Sequence, residues 1–259
     1  MIKLLVCLLA GLGAGLGTGF AGMSAAAVIT PMLVTFLGVP AYTAVGIALA
    51  SDVFASLISA YTYKKKGNID IRNGLLMMST VLLFTAVGSF VSSLVPNGTM
   101  GNFSVFVTLA VGIKFIIKPI LTTKESMLSV SPKRRAIESL SFGCLIGFIC
   151  GFVGAGGGIM MLMILTSILG YELKTAVGTS VFIMSFTALT GAVSHFIIDG
   201  PPDIWILIMC VLFTLIFARI GARIANNASP ITLNRITGII LVVLAIAIFS
   251  ANAILSSRG

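Results

Sequence analysis

The sequence predicts an all-α integral membrane protein of two inverted repeats, each a glycine-broken or re-entrant helix pair plus three transmembrane helices, about 8–10 membrane segments in all. Three observations predict it. Of 259 residues, 58% are hydrophobic and 9% charged, with a mean hydropathy of +1.16, whereas an ordinary soluble domain has roughly 25% charged residues. That supply of polar side chains does not cover a water-facing surface. The chain also aligns with itself at an offset of 132 positions. Finally, each copy opens with a glycine-interrupted apolar stretch, too long for one membrane helix and short for two.

The first repeat, residues 1–124, begins with Lys3 and an apolar run that resembles the core of a signal peptide. A matching segment recurs near residue 147, where no signal peptide sits, so the run reads as membrane-embedded. Its continuation, residues 24–37, contains Pro31 and spans about 21 Å at 1.5 Å per residue, less than the ~30 Å hydrocarbon core. A pair meeting at glycines follows, and its loosened backbone must be buried in protein or line a cavity. Cleaner spans follow at 41–63, 75–95 and 103–117. A basic linker, residues 125–135, ends in Lys133-Arg134-Arg135. The second repeat, 136–259, repeats the plan: a broken region at 140–169, then spans at 175–198, 204–218 and 233–254.

The internal alignment runs without a gap from Gly15 over Gly147. It pairs Gly19 with Gly151, Phe20 with Phe152, Gly22 with Gly154, Gly38 with Gly170, and Thr43-Ala44-Val45-Gly46 with Thr175-Ala176-Val177-Gly178. One inserted residue then brings Gly67 and Asp70 onto Gly200 and Asp203, and Gly88 onto Gly221. An ordered series of this kind is a duplication.

Charge sets the orientation. With an even number of crossings per half, eleven Lys/Arg fall inside and four outside; with an odd number and an outside start, thirteen fall inside and only Lys3 and Arg258 outside. Lys114, within a span, snorkels to its end. The positive-inside rule therefore favours opposite orientations for the halves, with the linker cytoplasmic and the chain multi-pass in the cell membrane. The net charge of +9 is spent at span ends, without nucleic-acid motifs, so the expected partners are a small solute and the lipid bilayer, with no nucleic acid; a homo-oligomer is compatible with all of this. Cys7, Cys144, Cys150 and Cys210 lie in apolar segments without metal-ligand spacing, so neither a disulfide framework nor a metal site is expected.

The chemistry-bearing segment is Gly154-Ala155-Gly156-Gly157-Gly158, which precedes an apolar run and has Gly22-Met23-Ser24 within its first-half counterpart. A dinucleotide or phosphate loop is excluded, since the preceding strand, the acidic partner and Gly-Lys-Ser/Thr are all missing. At the start of a short helix, such glycines turn backbone N–H groups toward one point, where free donors and the helix dipole favour an anion. Close packing through small residues is the bland alternative. Thr179 and Ser180 follow, and their hydroxyls either meet a substrate or bond back one turn. Asp52 is the only carboxylate in the middle of an expected span, and a charge there is costly unless wet, paired or protonated. It is the candidate coupling group. His195, the sole histidine, reads as an interfacial residue, and no carboxylate is placed to make it part of a catalytic triad.

The glycine boxes GFAG and GFVGAGGG, each followed by TAVG and then by GNID or GPPD, resemble the TauE/SafE sulfite exporter family over nearly the whole chain. The resemblance implies a permease for small sulfur-containing or related organic anions in a bacterial or archaeal plasma membrane. It carries over to Gly154, Gly156, Gly157, Gly158, Gly178, Thr179 and Ser180, and in the first half to Gly22, Pro31 and Gly46. The first box departs from the pattern in GMSAA, AVGIA replaces AVGTS, Met163 stands opposite Pro31, and Asp52 is additional. The expected function is secondary transport of a small anion such as sulfite, thiosulfate or sulfoacetate by alternating access, without a cofactor and without catalysis. A passive anion channel, a non-transporting subunit and a membrane-embedded enzyme are the alternatives.

Overall fold

The computed structural model describes residues 2–92, 109–110, 112–128, 131–153 and 157–256. Among them all regular structure is helical: α1 (Ile2–Ala21), α2 (Ala26–Leu37), α3 (Ala41–Lys65), α4 (Ile71–Ser92), α5 (Lys124–Leu128), α6 (Pro132–Val153), α7 (Gly157–Ser167), α8 (Leu173–Asp199), α9 (Ile204–Asn227) and α10 (Pro230–Ser256). A further helical stretch covers residues 112–117. Much of the span expected at 103–117 lies outside the described residues. Five described helices, α1, α3, α8, α9 and α10, are long and apolar enough to cross a membrane.

Side-chain size decides which face of a helix is buried. On α9, Ile204, Ile208, Leu212, Ile216, Ile220 and Ile224 point outward, while Cys210, Thr214, Ala218, Gly221, Ala222 and Ala225 are buried. Large apolar groups outside and small ones inside invert the soluble pattern, as expected where lipid is the solvent and helices approach through small residues. Gly11, Gly15 and Gly19 of α1 complete that contact: a Cβ on Gly15 would stand 2.6 Å from the Thr214 carbonyl oxygen, and one on Gly19 2.7 Å from that of Ala218. The small residues at 221, 222 and 225 continue this face, which is why α9 runs past the expected end at 218.

The same contact recurs between α6 and α4. Gly143 lies against Met77 and Thr80, and Gly147 against Val81 and Phe84. At the offset of the internal repeat, Gly11 and Gly15 correspond to Gly143 and Gly147, and Phe213 and Thr214 to Thr80 and Val81. The first helix of each repeat therefore packs on the fourth helix of the other. Between these pairs, α3 and α8 cross the centre antiparallel. Gly46, near the start of α3, meets His195 and Phe196 near the end of α8, and Gly178, near the start of α8, meets Tyr63 near the end of α3.

Turns repeat as well. Gly38 and Gly170 have φ of 63° and 64°, and Gly67 and Gly200 have 67° and 82°, a region open to glycine at little cost. Asp70 caps α4, its Oδ1 accepting from the Asn73 N–H at 3.1 Å. Asp203 caps α9 by accepting from the Trp205 and Ile206 N–H groups at 3.0 and 3.3 Å. The third apolar segment thus starts at Ile71, earlier than its hydrophobicity suggests, because the cap fixes the boundary.

The two ends of the bundle differ in charge. One holds Lys3 paired with Asp203 at 3.3 Å and His195 Nδ1 3.1 Å from the Tyr42 carbonyl, which makes Nδ1 the donor. The other gathers Lys64, Lys65, Lys124, Arg135 and Lys174, tied by Asn68 to Asn226 at 2.8 Å and Lys174 to the Asn226 carbonyl at 2.9 Å. Helix α1 starts at the first end, and α2 returns to it before Tyr42. Helix α6 starts at the basic end, and α7 returns there, where Tyr171 donates to Asp70 at 3.0 Å. The two broken pairs thus start from opposite ends of the bundle, and the second helix of each runs back toward the end at which the first began.

Candidate functional site

The hairpin tips meet in the middle of the molecule. In the first, Gly22 takes φ 59° after α1, its N–H donating to Thr18 O at 3.0 Å, while the Thr18 hydroxyl reaches Met23 O at 2.8 Å. Ser24 Oγ then accepts from the Ala26 N–H at 3.3 Å in the first turn of α2. In the second, α7 begins at Gly157. The tips are in direct contact, with the Gly22 carbonyl where a Gly158 side chain would be and Ser180 Oγ where a Gly22 side chain would be. A side chain at Gly158 would collide with the first tip, and one at Gly22 with α8.

Asp52 lies beside this contact, halfway along α3 and 1% exposed. Its Oδ2 accepts from the Ser24 hydroxyl at 2.7 Å and its Oδ1 from the Ser56 hydroxyl at 3.0 Å. The first bond ties the break between α1 and α2 to the central helix α3. The second comes from one turn along α3 itself. These donors meet the polar needs of a buried carboxylate.

A cavity of about 240 Å³ starts at this point. Ser24, Asp52, Gly157 and Gly158 form its deep end, and Val45, Leu49, Val81, Thr85, Met161, Met184, Thr187 and Ala188 its walls. It extends to His195, whose ring lies 4.1 Å from that of Tyr42, so access runs toward the end that carries Lys3. Toward the basic end the site is sealed. Tyr63, fully buried, donates to the Gly19 carbonyl at 2.9 Å, and Thr179 Oγ1 accepts from the Asp70 N–H at 3.0 Å. Burial, and after it the Asp70 carboxylate, pushes the Tyr171 phenol above its ordinary pKa, which keeps it a donor. At the open end, the Ile206 amide first, with Lys3 also contributing, holds the Asp203 carboxyl below its ordinary value.

The residues named from sequence divide by position. Ser24, Asp52, Gly157 and Gly158 share the cavity wall. Gly22 makes the tip contact, and Met23 is fully buried against Gly17. Thr179 serves the seal, and Ser180 donates back to Val177 O at 2.9 Å while packing on Gly22. Gly154, Ala155 and Gly156 lie outside the described residues. Sequence reasoning passed over Met184 and Ala188, although the repeat offset places them opposite Asp52 and Ser56. His195, read from sequence as an interfacial residue, also lines this cavity.

A family model described as sulfite exporter TauE/SafE matches residues 7–248. The chain belongs to the TauE/SafE sulfite exporter family. It is similar to the probable membrane transporter protein YdhB of Bacillus subtilis, 25% identical over 85% of this chain and 89% of that one. It is also similar to a second B. subtilis probable membrane transporter protein, YunE, 24% identical over 94% and 96% of the two chains. A Haemophilus influenzae probable membrane transporter protein is 31% identical over 76% of this chain and 75% of its own. No solved structure matches the chain. As a TauE/SafE member with several membrane-length helices, the protein is a multi-pass membrane transporter.

Proposed function

We propose that this TauE/SafE protein is a secondary transporter of a small anion, sulfite, thiosulfate or a short organosulfonate such as sulfoacetate, working by alternating access between inverted repeats 1–124 and 136–259. The linker 125–135 and the basic end face the cytoplasm in this reading, and the molecule lies in the plasma membrane with its cavity open outward. The observation that supports it is the contact between the breaks of the two helix pairs, Gly22 against Gly158, beside a cavity that reaches toward one end of the bundle. Equivalent helices running antiparallel are what a two-fold axis in the membrane plane produces, and transporter sites sit at such repeat interfaces. The N–H groups at the start of α7 are the donors for the anion, and a proton on Asp52 frees the Ser24 hydroxyl, which otherwise donates to its carboxylate, for the same role.

Asp52 supplies the coupling. An ionised carboxylate beside a bound anion repels it, and a proton on Asp52 removes that repulsion, so anion and proton load together. Because Ser24 bonds Asp52, the proton also alters the bond that fixes the first tip to α3.

Flux of sulfite, thiosulfate and sulfoacetate into proteoliposomes, with and without a pH gradient, tests both parts. Saturable uptake of one compound, accelerated by an imposed proton gradient and made insensitive to it by Asp52→Asn, is expected. Flux linear in concentration would instead make the protein a channel, and no flux of any small anion would end the transport reading. An unchanged pH profile in Asp52→Asn would remove Asp52 from coupling.

A further inference from the structure

A second cavity, of about 460 Å³, lies at the basic end and is separate from the one between the tips. It is walled by the turn before α4 (Gly67, Ile69, Asp70), the first residues of α4 (Arg72, Asn73), and Lys124, Met127 and Arg135 from α5 and α6. Three cationic side chains and one carboxylate line it. That carboxylate is already occupied: Asp70 Oδ1 accepts from the Asn73 N–H, and Oδ2 from the Asn73 amide at 2.7 Å and the Tyr171 hydroxyl at 3.0 Å.

The cations are not matched in the same way. Arg135 is 8% exposed, yet its nearest carboxylate oxygen, on Asp70, is 3.8 Å away, beyond hydrogen-bond distance. One of its nitrogens donates to the Met127 carbonyl, which leaves most of its five N–H donors without a described acceptor. Lys124 reaches a neutral carbonyl, that of Gly67, and Arg72 is exposed and without an ion pair among the described residues. A topology signal needs charge at the membrane surface, not a guanidinium buried at a cavity wall whose carboxylate partner, Asp70, stands off at 3.8 Å and is shared with Asn73 and Tyr171, because a buried charge is costly unless it is closely paired. The repeat supplies a control. Arg72 corresponds to Trp205, and Arg135 to Lys3, which is exposed and paired at 3.3 Å, so the excess of cations belongs to one end only.

We propose that this cavity is an oxyanion-binding site, in which Arg72, Lys124 and Arg135 hold a tetrahedral or trigonal oxyanion, either free in solution or as the phosphate of an anionic lipid headgroup. Three donors of this kind around one point suit a phosphate or sulfate group. Its occupant joins α5 to the α4–α6 pair.

Thermal unfolding of the full chain, purified in detergent and titrated with sulfate or phosphate against chloride at matched ionic strength, tests the site. In parallel, the protein is placed in phosphatidylcholine vesicles with and without phosphatidylglycerol. A saturable oxyanion-specific rise in Tm is expected, with apparent affinity roughly tenfold weaker in the double variant Arg72→Ala/Lys124→Ala, whose side chains contribute charge near the rim. An effect of phosphatidylglycerol that the double variant loses, without one of free phosphate, supports the headgroup as the source. The difference between wild type and the double variant is expected to persist in an Asp52→Asn background, which separates it from anion binding in the transport cavity. Equal responses in wild type and double variant, or no response to the free oxyanions beyond that to chloride together with none to phosphatidylglycerol, overturn the proposal. The readout needs no flux, so its failure is distinct from failure of the transport reading.

Discussion

Gly22 and Gly38 have nearly the same backbone, φ 59° and 63°, but different surroundings. Nothing lies within 4 Å of a Cβ on Gly38, so Gly38→Ala should cost only the left-handed strain of about 1–2 kcal/mol. Gly22→Ala adds a collision with Ser180 of α8, and overpacking of that kind costs a further ~1–3 kcal/mol. Denaturation of both variants in detergent compares them, and equal losses would show that the first tip does not press on α8. Ser24→Ala removes a hydrogen-bond donor from buried Asp52, and an acceptor left unsatisfied costs about 1–3 kcal/mol, readable in the same experiment. Asp52 was legible from sequence because a carboxylate inside an apolar run is conspicuous. Met184 was not, since a methionine among apolar residues carries no signal until the repeat sets it opposite Asp52. The roles of Thr179 and Ser180 were undecidable from spacing, because a hydroxyl on a helix bonds back or across according to its tertiary neighbour. For Thr179 that neighbour is the Asp70 amide, distant in sequence.

Among elements, the close approach of α1 to α9 and of α6 to α4 leaves no slack, so each pair should move as one body while α3 and α8 slide or tilt between them. This has a direct test in a variant without the four native cysteines. A cross-link within the first body, between Lys3→Cys and Asp203→Cys, should leave flux largely intact. A cross-link across the seal, between Asn68→Cys and Asn226→Cys, should stop flux until it is reduced, because that contact joins the α3–α4 turn to α9 at the closed end. The reverse pattern would place the moving boundary elsewhere. Glycine spacing made the existence of broken pairs readable in advance. Whether they crossed or turned back was not readable, since that depends on which end Tyr42 and Tyr171 reach, a matter of packing against His195 and Asp70.

At the scale of the whole molecule, the gathering of basic residues at one end follows from the loop-charge count. The alignment of Lys3 with Arg135 shows the duplication persisting even where the two ends have diverged in charge. What the alignment leaves open is the exchange of partners between repeats. A repeat could pack on itself with the same hydrophobic pattern; here the glycine faces of α1 and α6 are satisfied by helices of the other half. Co-expression of the two halves as separate chains should therefore reconstitute the transporter, whereas either half alone should remain protease-sensitive in the membrane. A stable, protected single half would contradict the exchange.

That exchange also bears on how the protein is made. When α4 has been inserted into the bilayer, the helix it needs, α6, is still to be synthesised, and α1 waits longer still for α9. The first half must therefore persist only partly assembled, with α1, α2 and α3 packed on one another but the glycine faces that await the second half exposed to lipid, until that half arrives from the ribosome. Quality control in the membrane would meet the nascent chain in that interval, which makes the order of translation, as much as final stability, a determinant of how much transporter accumulates.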